Sequence, residues 1–277
     1  MSNGQKIIKY IAIAFAVFLI VNIVSWSILG LSLLLGITAF GEKEETINEA
    51  EQKVQFSEQG EQIKNLKIDI SISQLIIQKS DHFNVEVKSE KDIVSATLKE
   101  NTLYIENTKK EPFFNWNPED SQIIVSLPSS ISLNNVEIDS GVGTVQIEEL
   151  NCSNLKMDLG VGSAKIGNLI ANQAKIDSGA GRLEIQKADI TNLDLDCGVG
   201  ETLITGVLKG ENRIEGGVGS VSISLQNSLE NYRITTNTGL RPISINNKSC
   251  EDKQINGKGA HSIILNGGVG KIDLTTK

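Results

Sequence analysis

The chain has 277 residues, 34 acidic against 26 basic, and a formal net charge of −8. That balance excludes a nucleic-acid binder, whose affinity rests on basic neutralisation of phosphates. An anionic wall polymer would likewise need a bridging cation.

Residues 11–40 carry no charge, a run longer than the roughly 20 residues that cross a bilayer and too short for two crossings. Lys6 and Lys9 precede it, and Glu42, Glu44 and Glu45 follow it around a single Lys43. The positive-inside rule then places residues 1–10 in the cytoplasm and the remainder outside. A cleaved signal peptide competes, but its apolar core should be about 7 to 15 residues and end in a small-x-small site. Ile37-Thr38-Ala39 is a poor version of that site, so the expectation is one uncleaved transmembrane helix at the cell membrane. Without Lys6 and Lys9, the remainder has 24 basic against 34 acidic residues, a net charge of −10.

Residues 41–62 are rich in Glu and Gln, lack apolar periodicity and read as a charged stalk. From Ile63 short alternating runs begin: Leu66-Lys67-Ile68-Asp69-Ile70, Phe83-Asn84-Val85-Glu86-Val87, Leu103-Tyr104-Ile105 and Ile123-Ile124-Val125-Ser126-Leu127. These predict strands, with Lys99-Glu100-Asn101 as one turn between them.

A repeat then governs residues 135–225. Gly-Val-Gly begins at Gly141, Gly160, Gly198 and Gly217, and Gly179-Ala180-Gly181 fills the missing step, so five copies are spaced by 19. In the same register stand Ile147, Ile166, Ile185, Ile204 and Ile223, and then Ile138, Met157, Ile176, Leu195 and Ile214. A third apolar column is Val142, Val161, Ala180, Val199 and Val218; a fourth is Val145, Ala164, Leu183, Thr202 and Val221. Inward positions are even-numbered before the first Gly-Val-Gly and odd-numbered after it, so that tripeptide predicts a backbone corner where glycine takes φ > 0. Glu137, Lys156, Lys175, Asp194 and Arg213 form a mixed-charge outer column. Beyond Leu225 the period fades, although Thr235 to Gly239 and Asn266 to Gly270 look like further corners, with a loop expected over Asn247 to His261. The expected fold is therefore all-β: a single parallel β-solenoid, or β-helix, of 19-residue coils over residues 63–277, preceded by one transmembrane helix. Its end sections would serve as caps.

Chemistry is thinly represented. His82 and His261 are the only histidines, and no Gly-x-Ser-x-Gly, Ser-x-x-Lys or metalloprotease pattern occurs. Five-fold repetition and the lack of a following helix make Gly-x-Gly a corner rather than a phosphate cradle. Asp139, Asp158, Asp177, Asp196 and then Glu215 stand in register. Such a row could hold calcium, or each Asp could cap its own corner, and the capping reading is adopted, so no metal and no cofactor is expected. As one row of neighbours, it also lacks the facing carboxylates of a glycosidase. Cys152, Cys197 and Cys250 are odd in number and widely spaced, allow at most one disulfide, and read as small apolar wall residues. Phe113, Phe114 and Trp116 are the candidate ligand-binding residues, three of the seven aromatics beyond residue 40; a plug over the end of the fold is the other reading.

The repeated Asp-Ser-Gly-Val-Gly and Asp-Cys-Gly-Val-Gly corners with their following isoleucines resemble a bacterial family of β-solenoid domains of unknown function regarded as candidate adhesins. The likeness spans Ile63 to the C-terminus and extends to membrane-anchored Gram-positive proteins of the cell-envelope stress response. It implies a non-catalytic surface binding or adhesin-like module, not an enzyme, whose partner is a cell-envelope polymer or a membrane or surface protein. The other function it implies is a structural or signalling part of the stress response that assembles with itself or with membrane partners.

Overall fold

The computed structural model describes residues 50–54, 63–89, 94–107, 121–128 and 131–277. All of them belong to one compact unit, Asn48–Lys277. The expected span at residues 11–40 lies outside the described residues, and among the described residues no helix is long and apolar enough to cross a membrane. The stalk is not wholly irregular, because it contains strand β1, Ala50–Val54.

The first section supplies β2 (Asn65–Ser80), β3 (Asn84–Ser89), β4 (Val94–Lys99), β5 (Thr102–Asn107) and β6 (Ser121–Pro128). The repeat supplies β7 (Leu133–Asp177), β8 (Ala180–Thr191), β9 (Leu193–Asp196), β10 (Val199–Lys209), β11 (Glu211–Glu215) and β12 (Val218–Leu225). After a 3-10 turn at Leu229–Asn231 come β13 (Tyr232–Asn237), β14 (Ile243–Ile245), β15 (Lys248–Cys250), β16 (Gln254–Asn256), β17 (His261–Asn266) and β18 (Lys271–Thr276). The loop expected over Asn247 to His261 thus holds two three-residue strands.

The eighteen strands among the described residues form one sheet, and its mixed pairing overturns the expectation of a single parallel β-solenoid. The sheet curls into a nearly closed, barrel-like shape. Parallel ladders at the predicted 19-residue offset do run through the repeat: Val199 pairs with Ala180 and Val218, and Asp196 with Asp177 and Glu215. Antiparallel pairs flank them at both ends. On one side β4 pairs with β5, β3 with β6, and β1 with β3; on the other β15 pairs with β14 and β16 with β13. The physical reason is local turn chemistry. Glu100 and Asn101, and likewise Asn246 and Asn247, adopt positive φ as two-residue hairpin turns do, which returns the chain antiparallel.

Spatial order also departs from chain order. β2 lies between β5 and β6 on one side and the start of β7 on the other, at an offset of 70 residues from β7 (Leu66 beside Val136). β17 and β18 insert between β11/β12 and β13/β14 (Asn212 beside Ile263, Ile234 beside Ile263). β2, β17 and β18 are therefore paired on both sides rather than left as edges.

This order extends the core columns beyond the repeat. The isoleucine column continues through Ile77 and Val125 at one end and Leu274 and Ile245 at the other, all buried. Burying each such side chain is worth about 1.5–3 kcal/mol, so the stack is the main source of cohesion. A third, short strand segment, not read from the sequence, closes the middle units: Leu169 pairs with Ala188, and Ala188 with Gly206.

Candidate interaction surface

Gly143, Gly162, Gly181, Gly200 and Gly219 have φ between +135° and +146°, and a Cβ on Gly200 would collide with the carbonyl oxygen of Gly181. The tripeptides are therefore backbone corners. Inward residues Ile138 and Val145 flank the first of them, which confirms the phase change. The valine between the glycines, however, does not belong to the core, as its grouping with the apolar columns suggested. Val161 is 58 % exposed, Val199 48 % and Val218 41 %. A residue at the apex of an outward corner has no interior to face.

Backbone bonds carry this column past the repeat. Val199 N–H donates to Gly179 O, Val218 N–H to Gly198 O, Val269 N–H to Gly217 O and Leu240 N–H to Gly268 O, at 2.7–2.9 Å. Ile72 pairs with Val142 at the other end. The result is an aliphatic ridge, Val142-Val161-Ala180-Val199-Val218-Val269-Leu240, which begins beside the buried Ile72, is most exposed at Val161, Val199 and Val218 in the repeat, and rises to 67 % exposure at Leu240. Shallow grooves lined by glycine and serine, among them Ser178, Gly198, Gly200 and Ser220, border it. The sequence signal for its continuation was present in Gly268-Val269-Gly270, but the spatial swap of the last strands hid the register.

The acidic row runs alongside and is longer than predicted. Register adds Asp69 and Glu106 ahead of Asp139, and Asn266 and Asn237 finish it beyond Glu215, joined by a 2.7 Å bond. Asp177 accepts from Gly179 N–H at 3.2 Å, the expected corner cap. Burial, then repulsion from Asp158 and Asp69, pushes the Asp139 carboxyl up; burial, then Asp177 and Glu215, does the same at Asp196. No group of three or more metal-ligating side chains occurs among the described residues. Within the outer mixed-charge column Lys156 bonds Glu137 at 2.7 Å and Lys67 reaches it at 3.3 Å, and Arg213 crosses to the acidic row to pair with Glu215.

Phe113, Phe114 and Trp116 lie outside the described residues, but their anchors do not. Asn107 and Ser121 end β5 and begin β6 at the corner where β2 holds Ile72, and Asn107 Oδ1 accepts from Ser71 N–H at 2.7 Å. The three cysteines are buried and free. His261 Nδ1 accepts from Gly210 N–H at 3.2 Å, and its ring lies tilted at 54° and 6.1 Å from Tyr232, so it is held as a structural residue.

An exposed ridge and a ladder of repeated corners define a β-rich repeat domain. The chain belongs to the Toastrack DUF4097 family, whose model matches residues 63–259. No curated protein matches it. Similar solved structures include a candidate adhesin from Bacteroides fragilis, 14 % identical with a TM-score of 0.48, covering 84 % of this chain and 100 % of that one. A candidate cell adhesion protein from Clostridium sporogenes is 18 % identical with a TM-score of 0.39, covering 83 % and 100 %. A candidate lipid-binding protein from Parabacteroides distasonis is 14 % identical with a TM-score of 0.48, covering 82 % and 96 %.

Proposed function

We propose that the chain is a non-catalytic, adhesin-like binding module displayed on the outer face of the cell membrane. The uncharged run at residues 11–40 would attach it, and its partner would be a cell-envelope polymer or a membrane or surface protein. The exposed aliphatic ridge carries this reading, because an apolar strip along a line of outward corners suits contact with an extended surface rather than enclosure of a small molecule. Phe113, Phe114 and Trp116 would add aromatic contacts to this binding. Self-assembly in an envelope stress response is less favoured, since short antiparallel strands cover both ends of the parallel ladder.

The test uses the full chain in nanodiscs against envelope fractions and intact cells. Val199→Ser/Val218→Ser/Leu240→Ser should lose binding while melting unchanged, and Phe114→Ala/Trp116→Ala should weaken it. Undiminished binding by both variants would refute the reading. Protease accessibility on intact cells checks the orientation: protection of the β-unit would place it inside.

A further inference from the structure

We infer that the partner seated on the aliphatic ridge is an amphipathic helix of another protein, lying along the ridge with an aliphatic stripe against the valines and lysine or arginine along one flank. This rests on the binding reading above and names the chemistry of its partner. Two parallel lines of side chains carry it. Val142, Val161, Ala180, Val199 and Val218 form one; Asp139, Asp158, Asp177, Asp196 and Glu215, each three positions earlier in the chain, form the other. Glu215 is paired with Arg213, but the four aspartates are exposed, and among the described residues no lysine or arginine makes an ion pair with them. The opposite flank, Thr144, Ser163, Arg182, Glu201 and Ser220, has no such excess, because Arg182 is paired with Glu201. Charge therefore selects a basic partner and repels an anionic wall polymer or an anionic lipid surface. A second copy is the weaker occupant, since beyond residue 40 it brings a net charge of −10.

Geometry selects the helix. Rungs of the ridge lie about 4.8 Å apart, and same-face residues of a strand about 6.7 Å. An aliphatic helix stripe recurs about every 5.3 Å. After three rungs a helix is about 1.5 Å out of step and a strand more than a whole rung. Nor does the ridge offer a sheet edge. Val199 N–H donates to Gly179 O and Val218 N–H to Gly198 O within the ladder, so a strand laid there would find no backbone partner, whereas a helix satisfies its own. The two lines are no more than about 10 Å apart at about 3.3 Å per residue. A helix is about 10–12 Å across, so one seated on the valines holds its flank over the aspartates. Gly181, Gly198, Gly200 and Gly219 beside the valines leave the stripe room to descend.

The test uses the full chain in phosphatidylcholine nanodiscs, with empty discs as baseline, and lactam-stapled helical peptides of about 18 residues, roughly 27 Å long. One carries a leucine stripe flanked by lysine, a second the same stripe flanked by glutamate, and a third the lysine flank with a serine stripe. A fourth, extended peptide alternates valine and lysine. The leucine–lysine helix should bind, more weakly as salt is raised. Asp158→Asn/Asp177→Asn/Asp196→Asn retains an oxygen at each corner and should weaken binding roughly fivefold or more. Val199→Ser/Val218→Ser should weaken it at least as much, and neither variant should melt appreciably below the parent. The proposal is overturned if the leucine–lysine helix binds no better than to empty discs, or if any other peptide, or phosphatidylglycerol vesicles, bind as tightly as it does. The two readings fail separately. Envelope binding that is lost in the valine variant but kept in the aspartate variant would sink the basic helix and leave the adhesin-like reading standing. A helix that binds as expected beside envelope fractions that do not would leave a helix site without the adhesin-like role.

Discussion

Asn212 Oδ1 accepts a hydrogen bond from the Leu193 backbone N–H at 3.1 Å, joining two successive units from inside the core. Asn212 sits in an otherwise apolar column, between Leu193 and Ile263, and is buried. Its Nδ2 donates to Lys209 O and Ser262 O, both at 3.1 Å, so one side chain serves its own coil, the preceding one and the inserted strand β17. Asn212→Leu would match its neighbours in apolarity yet leave the buried Leu193 N–H without this acceptor and remove a bond to each of Ser262 O and Lys209 O, the latter keeping its bond from Asn192 N–H at 3.0 Å. At about 1–3 kcal/mol for each unsatisfied group, partly relieved by relaxation, the loss should be about 2–4 kcal/mol. Chemical denaturation measures it, and a leucine variant as stable as the parent would remove the bridging role.

Gly200→Ala should cost far more than Val199→Ser, although the two are adjacent. Gly200 has φ of +135° and its added Cβ would meet Gly181 O, so backbone must shift in two coils. About 3 kcal/mol or more is expected, in the range of strained backbone and overpacking combined. Val199 points to solvent, and its replacement should change stability by about 0.5 kcal/mol or less. Equal costs would mean that the corner is not the rigid element of the repeat.

The contrast between those two positions shows where sequence was sufficient. A period of 19 specified which glycines must turn and which isoleucines must stack, because both constraints recur in every unit. Exposure of the corner valines was not legible, since an apolar residue between glycines reads the same at an apex as in a wall. Nor was the insertion of β2, β17 and β18: offsets of 70, 51 and 29 residues come from long excursions, such as Asp81 to Pro128, that no local period records. The hairpins at Glu100-Asn101 and Asn246-Asn247 were the available clue to antiparallel ends, and only the first looked like a turn. Asp69 and Glu106 escaped the acidic row for the same reason, lying outside the 19-residue register.

Cys152 and Cys197 should resist thiol reagents in the folded protein. Burial pushes both thiols up to about 12, and burial likewise raises Cys250. At pH 8 the thiolate fraction at Cys152 and Cys197 would be on the order of one in ten thousand, and the thiolate is the reactive species. Labelling with a chromogenic disulfide should therefore follow global unfolding, with three thiols released in denaturant. Release of even one thiol equivalent within seconds under native conditions would contradict the burial of these side chains.

The acidic row makes a prediction with two signs. Asp139 and Asp196 have raised folded values, from burial first and neighbouring carboxylates second. Their stabilising contribution is fully present below the unfolded value of about 3.9 and is lost as pH rises through the folded value. Glu137, bonded by Lys156 and Lys67, and Glu149, bonded by Lys79 and Asn168, are lowered instead. Their contribution is present above about 4.3 and is lost as pH falls through the folded value. Because Asp139 and Asp196 remain partly exposed, solvent screening reduces the effect of each to a few tenths of a kcal/mol. Asp196→Asn should accordingly raise the melting temperature slightly at pH 7 and flatten its decline between pH 4 and 7. Glu137→Gln should lower it at pH 7 and have less effect in acid. Asp177→Asn should bring the Asp196 carboxyl back toward its ordinary value, read by carbon NMR titration. A pH 7 melting temperature that falls on Asp196→Asn would show that this carboxylate stabilises its corner more than the row repels it.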